Sequence, residues 1–106
     1  MVTKMVSMQR LHYTGDSLLV PDAVCDAIFT FASALAGERA SDVVRVPIVD
    51  EAGVTTIAAI LIGPASQLYA TPAPDSYEID VDPGLVEEIL RRAAVLAPAR
   101  SSPDGG

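Results

Sequence analysis

The chain predicts an α+β fold: two layers, with a mostly antiparallel sheet of four to five strands carrying two helices packed on one face. Three observations point there. Period-two alternation recurs near the start, in the middle and late in the chain. Two stretches of helical periodicity lie between and after these strands. The link inside 41–62 is also too short for anything but an antiparallel hairpin. The order read from these signals is β-β-α-β-β-(β)-β-α, the bracketed strand being a short one near 67–71.

The first two strands are Leu11–Thr14 and Ser17–Val20, joined at Gly15-Asp16. Glycine in the first central position suits a type II′ turn, because it takes φ > 0 without a Cβ clash. Pro21 ends the second strand and pre-sets φ for a helix, with Asp22 and Asp26 at the positive end of its dipole. The helix runs to Ala36, and Gly37 occupies the C-terminal cap position. Val24, Ile28, Phe31 and Leu35 make one apolar stripe, and Cys25, Phe29, Ala32 and Ala36 make a second. Together with Ala27 and Ala34 they cover about 220° of the circumference at 3.6 residues per turn. One sheet hides about half of that arc.

Residues 41–50 read as a strand that is either at an edge or bulged, because Pro47 cannot donate to a ladder. Asp50-Glu51-Ala52-Gly53 forms the hairpin loop, with Gly53 in the left-handed position. Val54–Ile62 has no polar face and reads as a central strand covered on both sides. Thr71-Pro72-Ala73-Pro74 reads as an extended connector without ladder capacity. Ser76–Val81 alternates, with Tyr77, Ile79 and Val81 inward. Asp82 then caps a last helix that has Pro83 at its first position and Leu85, Ile89, Ala93 and Leu96 inward. Glu87 with Arg91 and Glu88 with Arg92 have the i,i+4 spacing of helix-surface pairs. One domain is expected over 9–97, preceded by a flexible arm at 1–8 and followed by a polar Pro/Gly/Ser tail at 98–106.

Composition narrows the class. The 106 residues are 50% hydrophobic and 20% charged, with 7 Lys+Arg against 14 Asp+Glu. The net charge of −7 opposes binding to nucleic acid or anionic membrane surfaces. One cysteine excludes an internal disulfide framework and a Cys-rich zinc site. No apolar run is long enough to span a bilayer and no secretion signal is visible, so a cytoplasmic location is expected. The absence of Asn and the single Lys, Lys4, fit a GC-rich bacterial coding sequence.

Few residues invite chemistry. Cys25 and His12 are the only thiol and the only imidazole, which raises the question of a nucleophile–base pair. Cys25, however, lies on an apolar stripe between Asp22 and Asp26, which raise a thiol pKa, and reads as a small buried hydrophobe. Glu78, Asp80 and Asp82 alternate along a strand about 6.5–7 Å apart, too far for three ligands on one ion. They read as a solvated sheet face rather than a metal site. The Gly63–Gln67 loop lacks the Lys of a phosphate-cradling motif.

Two functional expectations follow. The first is a small acidic, non-enzymatic interaction module that acts by self-association or by docking to a partner protein. Its expected form is a homodimer through Cys25, Phe29, Ala32 and Ala36 of the first helix, without cofactor or metal. The alternative is a small-molecule-binding protein or minor enzyme, its pocket lying between the 63–67 loop and the first hairpin. Arg45, Ser66, Gln67 and Tyr69 are the ligand-binding residues of that alternative.

Overall fold

The computed structural model describes residues 4–64 and 67–96. The elements are β1 (Lys4–Tyr13), β2 (Asp16–Pro21), α1 (Asp22–Glu38), β3 (Asp42–Val49), β4 (Thr55–Ile62), β5 (Leu68–Ile79) and α2 (Pro83–Leu96). The fold is α+β: the strands form a five-stranded antiparallel sheet of order β4-β3-β2-β1-β5, accompanied by the two helices.

Residues 4–8, expected in a flexible arm, form the first half of β1. Their period is hidden by a break in register against β5 between Ser7 and Gln9. Met8 at that break is buried with Val49 and Ile79, and Val6, Leu19 and Tyr77 pack around them. This burial holds the segment in the sheet. The tail expected at 98–106 lies outside the described residues.

The β1–β2 turn is one residue earlier than its sequence implies. Tyr13 pairs with Asp16, so Thr14 and Gly15 are the central residues, with φ of 51° and 80°. Two positive values make the turn type I′, with glycine second rather than first. Thr14 is the unusual occupant, a β-branched residue in the left-handed region.

α1 begins directly after Pro21 and passes through Gly37. The left-handed cap is Arg39 (φ 55°) rather than Gly37, and its N–H donates to Ala36 O at 3.2 Å. Ala40 N–H donates to Leu35 O at 3.0 Å, so two carbonyls of the last turn are satisfied. Phe31, Ile28, Val24 and Leu35 lie in the main core with Leu11, Val20, Val44, Val46, Ile60 and Ile62 from the sheet and Ile89 and Ala93 from α2.

In the β3–β4 hairpin, Asp50 N–H donates to Val54 O at 2.9 Å, and Asp50 Oδ1 accepts from Ala52 and Val54 N–H, each at 2.9 Å. Gly53 closes the loop with φ 83°. The Asp50–Val54 bond sets the alternation of the ladder: Ile48–Thr56, Val46–Ala58 and Val44–Ile60 are the bonded pairs. Pro47 therefore sits in a non-bonded pair with Ile57, its nitrogen turned away from β4. β2 meets β3 only at Leu19–Val49, so no ladder bond is lost there. Pro47 thus occupies a locally open side of a strand that is interior in order.

Two expectations about strands are corrected. The apolar pattern of Val54–Ile62 predicts a central strand, but β4 is an edge strand whose alternate side chains Ile57, Ala59 and Leu61 are exposed. A missing polar face reports only the side chains present, and none of the described residues covers them. The 71–74 connector is instead part of β5, with Pro72 paired to Gln9. Met8 alone stands opposite residues 73–75, so the prolines fall in an edge strand where the register is already broken.

Asp82 caps α2 through Gly84 N–H, which donates to its Oδ1 at 2.9 Å. The expected Glu87–Arg91 and Glu88–Arg92 pairs are replaced by Glu88 with Arg91 and by Arg92 with Asp42 at 2.7 Å. Arg92 reaches off its helix because β3 starts beside it. It also donates to Val43 O at 3.0 Å and lies 4.7 Å over the Phe31 ring.

Candidate functional site

Two places on the surface have the features of a working site: the free edge of β4, and a cleft at the tip of the β1–β2 hairpin. The edge follows from the ladder alternation just described. Thr55, Ile57, Ala59 and Leu61 turn their backbone N–H and C=O groups away from β3. Leu61 O is taken by the Tyr13 hydroxyl, which donates to it. Among the described residues the stretch 55–59 has no neighbouring strand beyond β3. Its side chains add apolar surface: Ile57 is 62% and Leu61 57% exposed, flanked by exposed Val54 and Val43. β4 reads Thr-Thr-Ile-Ala-Ala-Ile-Leu-Ile, with no charge and no proline. Such an edge has none of the usual guards against strand pairing.

The cleft lies where the tip of the β1–β2 hairpin meets the end of β4 and the start of β5. Its volume is about 840 Å³. The hairpin tip from His12 to Ser17 forms one wall, and Ser41, Leu61, Gly63 and Pro64 form another. Gln67 and Tyr69 complete it. His12 and Tyr69 are directly opposed across β1 and β5 and stack, their centroids 4.1 Å apart and their planes 4° from parallel. His12 Nε2 is 3.3 Å from Thr71 Oγ1, which fixes the imidazole within the stack. Gly63 lets the wall close up: a Cβ there would lie 2.5 Å from Ser41 Oγ.

Of the ligand-binding residues read from sequence, the structure brings Gln67 and Tyr69 to this cleft. Arg45 is exposed on β3 opposite Ala59 and does not line it. Ser66 lies outside the described residues. His12, Ser17 and Ser41 were missed as site residues, although the hairpin containing the first two was expected at the pocket. No local pattern marks Ser41, which arrives at the cleft only because α1 returns the chain to the hairpin tip.

The four residues read as a helix interface do not form an exposed flank. Cys25 is fully buried, Phe29 and Ala32 are half-buried against the core, and Ala36 alone is exposed. The 220° arc is consumed internally, because α1 packs against the sheet and against α2. Burial pushes the Cys25 thiol from its ordinary 9.0 up to about 11, and Asp26 and Asp22 add to the rise. It does not pair with His12. Leu11 shares the core with Cys25, and the next residue along a strand points to the opposite face.

Glu78, Asp80 and Asp82 are exposed, and Asp82 serves α2 as its cap. Among the described residues no group of three or more His, Cys, Asp or Glu is placed to hold a metal ion. No helix among them is long and apolar enough to cross a membrane. No family model, curated protein or solved structure matches the chain.

Proposed function

We propose that this chain is a non-enzymatic, self-associating interaction module, and that the β4 edges of two copies pair to form a homodimer. The observation that carries the reading is the unguarded edge: eight regular residues, uncharged and proline-free, with exposed Ile57 and Leu61. A second copy suits this edge for an electrostatic reason. Each chain carries −7, and an uncharged strand lets two of them meet without setting like charges directly opposite.

Symmetry selects a register. A two-fold axis normal to the sheet pairs residues of the same parity, and the free backbone groups are those of Thr55, Ile57 and Ala59. With Leu61 O already occupied, the bonded segment centres on Ile57, which meets its own copy while Thr55 meets Ala59 of the other chain. The joined sheets then form one continuous sheet across the axis.

The test is the solution mass of the wild type and of Ile57→Pro. Proline at this position removes an N–H that faces away from β3, so the protomer keeps its ladder and its fold. The wild type is expected at twice the 11.1 kDa chain mass, and Ile57→Pro at the chain mass with an unchanged circular dichroism spectrum. A wild type that stays monomeric, or a dimer that survives Ile57→Pro, overturns the reading.

A further inference from the structure

The β4 edge leaves the cleft at the hairpin tip unexplained, and its chemistry is specific enough to name a ligand class. We infer that it binds an uncharged, polyhydroxylated ligand, a neutral saccharide, with the Tyr69 ring as its platform.

Among the described residues Asp16 lines the cleft, and no Lys or Arg does. A phosphate or carboxylate entering there meets Asp16 within a chain of −7, and the cation that reaches the rim, Arg10, is already bonded to Ser17 Oγ and does not line the cleft. Anions are therefore disfavoured. An organic cation would meet a single carboxylate, Asp16, which keeps its charge while Oδ1 accepts from Ser17 N–H at 2.8 Å, so choline is the competing probe in the test below.

The groups that remain suit hydroxyls. Gln67 offers donor and acceptor on one amide, and the Ser17 and Ser41 hydroxyls each donate and accept. Ser17 Oγ accepts from Arg10 at 3.3 Å, which leaves its own O–H to donate into the cleft. A ligand whose every polar group is itself both donor and acceptor matches such a set.

Tyr69 supplies the apolar half of the recognition. Tyr69 is 61% exposed, and the stack on His12 holds its ring, so its orientation is set before a ligand arrives. A pyranose ring presents a flat C–H face of about the size of a phenol, and stacking leaves its hydroxyls pointing outward at the rim. Leu61 and Pro64 extend the apolar floor. The cleft is open, which suits a ligand that keeps much of its polar surface in water and excludes a wholly apolar one.

The experiment is amide chemical-shift mapping on the full chain. The probes are glucose, galactose, maltose and cellobiose, with choline chloride and sodium phosphate as the cationic and anionic comparators. At least one saccharide is expected to give saturable shifts confined to 12–17 and 61–69, with Tyr69→Ala weakening it about tenfold, the order of one lost aromatic contact. Tyr69→Phe, which keeps the platform, is expected to retain binding and so separates loss of the ring from disturbance of the hairpin. Silence from all four sugars, tighter binding of choline or phosphate, or saccharide binding indifferent to Tyr69→Ala overturns the inference. None of these readouts depends on the dimer, because Ile57→Pro can serve as the background.

Discussion

β5 runs along one margin of the sheet with Pro72 and Pro74 in it and its register broken opposite Met8, while β4 runs along the other with neither proline nor bulge. Glu78 adds an exposed charge to β5; β4 has no charged residue. Both are edges of the same sheet, and both present backbone groups that another strand could use. Proline removes a donor, a bulge turns the strand away, and charge penalises desolvation. β5 carries all three devices and β4 none. The difference teaches that an edge can be left open selectively, and that the open one is the place to look for a partner.

The strongest way to break the contrast is to remove the guards from β5. Pro72→Thr with Pro74→Thr restores two N–H groups and β-propensity to that strand. A chain with two open edges can propagate instead of closing. Light scattering is expected to show assemblies much larger than a dimer, growing with concentration. An unchanged mass would mean that β5 is protected by something other than its prolines.

A second test asks whether the sheet edge or the helix mediates association. Phe29 packs on the core while half-buried, so Phe29→Glu is expected to destabilise the fold by about 2 kcal/mol through lost burial. Urea unfolding measures this. If the interface is β4, the folded fraction of that variant keeps the wild-type mass. Dissociation without unfolding would return the interface to α1.

Ile57→Lys sharpens the proposed register. Around a two-fold axis at residue 57 the two ammonium groups face each other, and like charges directly opposed across strands are unfavourable. The dimer is expected to weaken about tenfold at low salt and to recover in part at high salt, as charges at an exposed edge are screened. Stability of the protomer should stay within about 0.5 kcal/mol, since Ile57 is largely exposed. Sedimentation across a salt series reads both effects. A loss that salt does not relieve would place Ile57 away from the axis.

The same contrast shows how much the residues reveal by themselves. The element types, the capping of α2 by Asp82 and the Asp50–Gly53 loop are local, and the side chains that cause them are adjacent in sequence. What was misread depends on neighbours. Val54–Ile62 looks like a covered strand because apolar residues are the same whether covered by this chain or left for another. The 71–74 segment looks like a connector because proline signals a missing donor without saying which way it points. Phe29 and Ala32 looked unpartnered because the packing of α2 on α1 cannot be seen from either helix alone. At the cleft, Gln67 and Tyr69 were legible through the loop they flank, whereas Ser41 arrives from a segment with no signal of its own.

The smallest expected effect concerns what holds the β4 half of the sheet in place. β3 and β4 are tied to β2 by one register pair, and Arg92 adds a second attachment from α2 through Asp42 and Val43 O. The hydrogen bond from Arg92 lowers the Asp42 carboxyl pKa below its ordinary 3.8, helped by Val43 N–H. A group whose pKa falls on folding stabilises the native state above the unfolded value and loses that contribution as pH drops through the folded one. Asp42 is half-exposed, so screening limits the pair to about 0.5 kcal/mol. Urea melts of wild type and Asp42→Asn should therefore differ by that amount near neutral pH and converge as the pH falls below 3.8. Arg92→Met should cost more, about 1 kcal/mol, because it also removes the contact with the Phe31 ring. If the gap between wild type and Asp42→Asn persisted in acid, the carboxylate charge would not be what anchors β3 to α2. The open edge would then owe its position to packing and to the hydrogen bond on Val43 O.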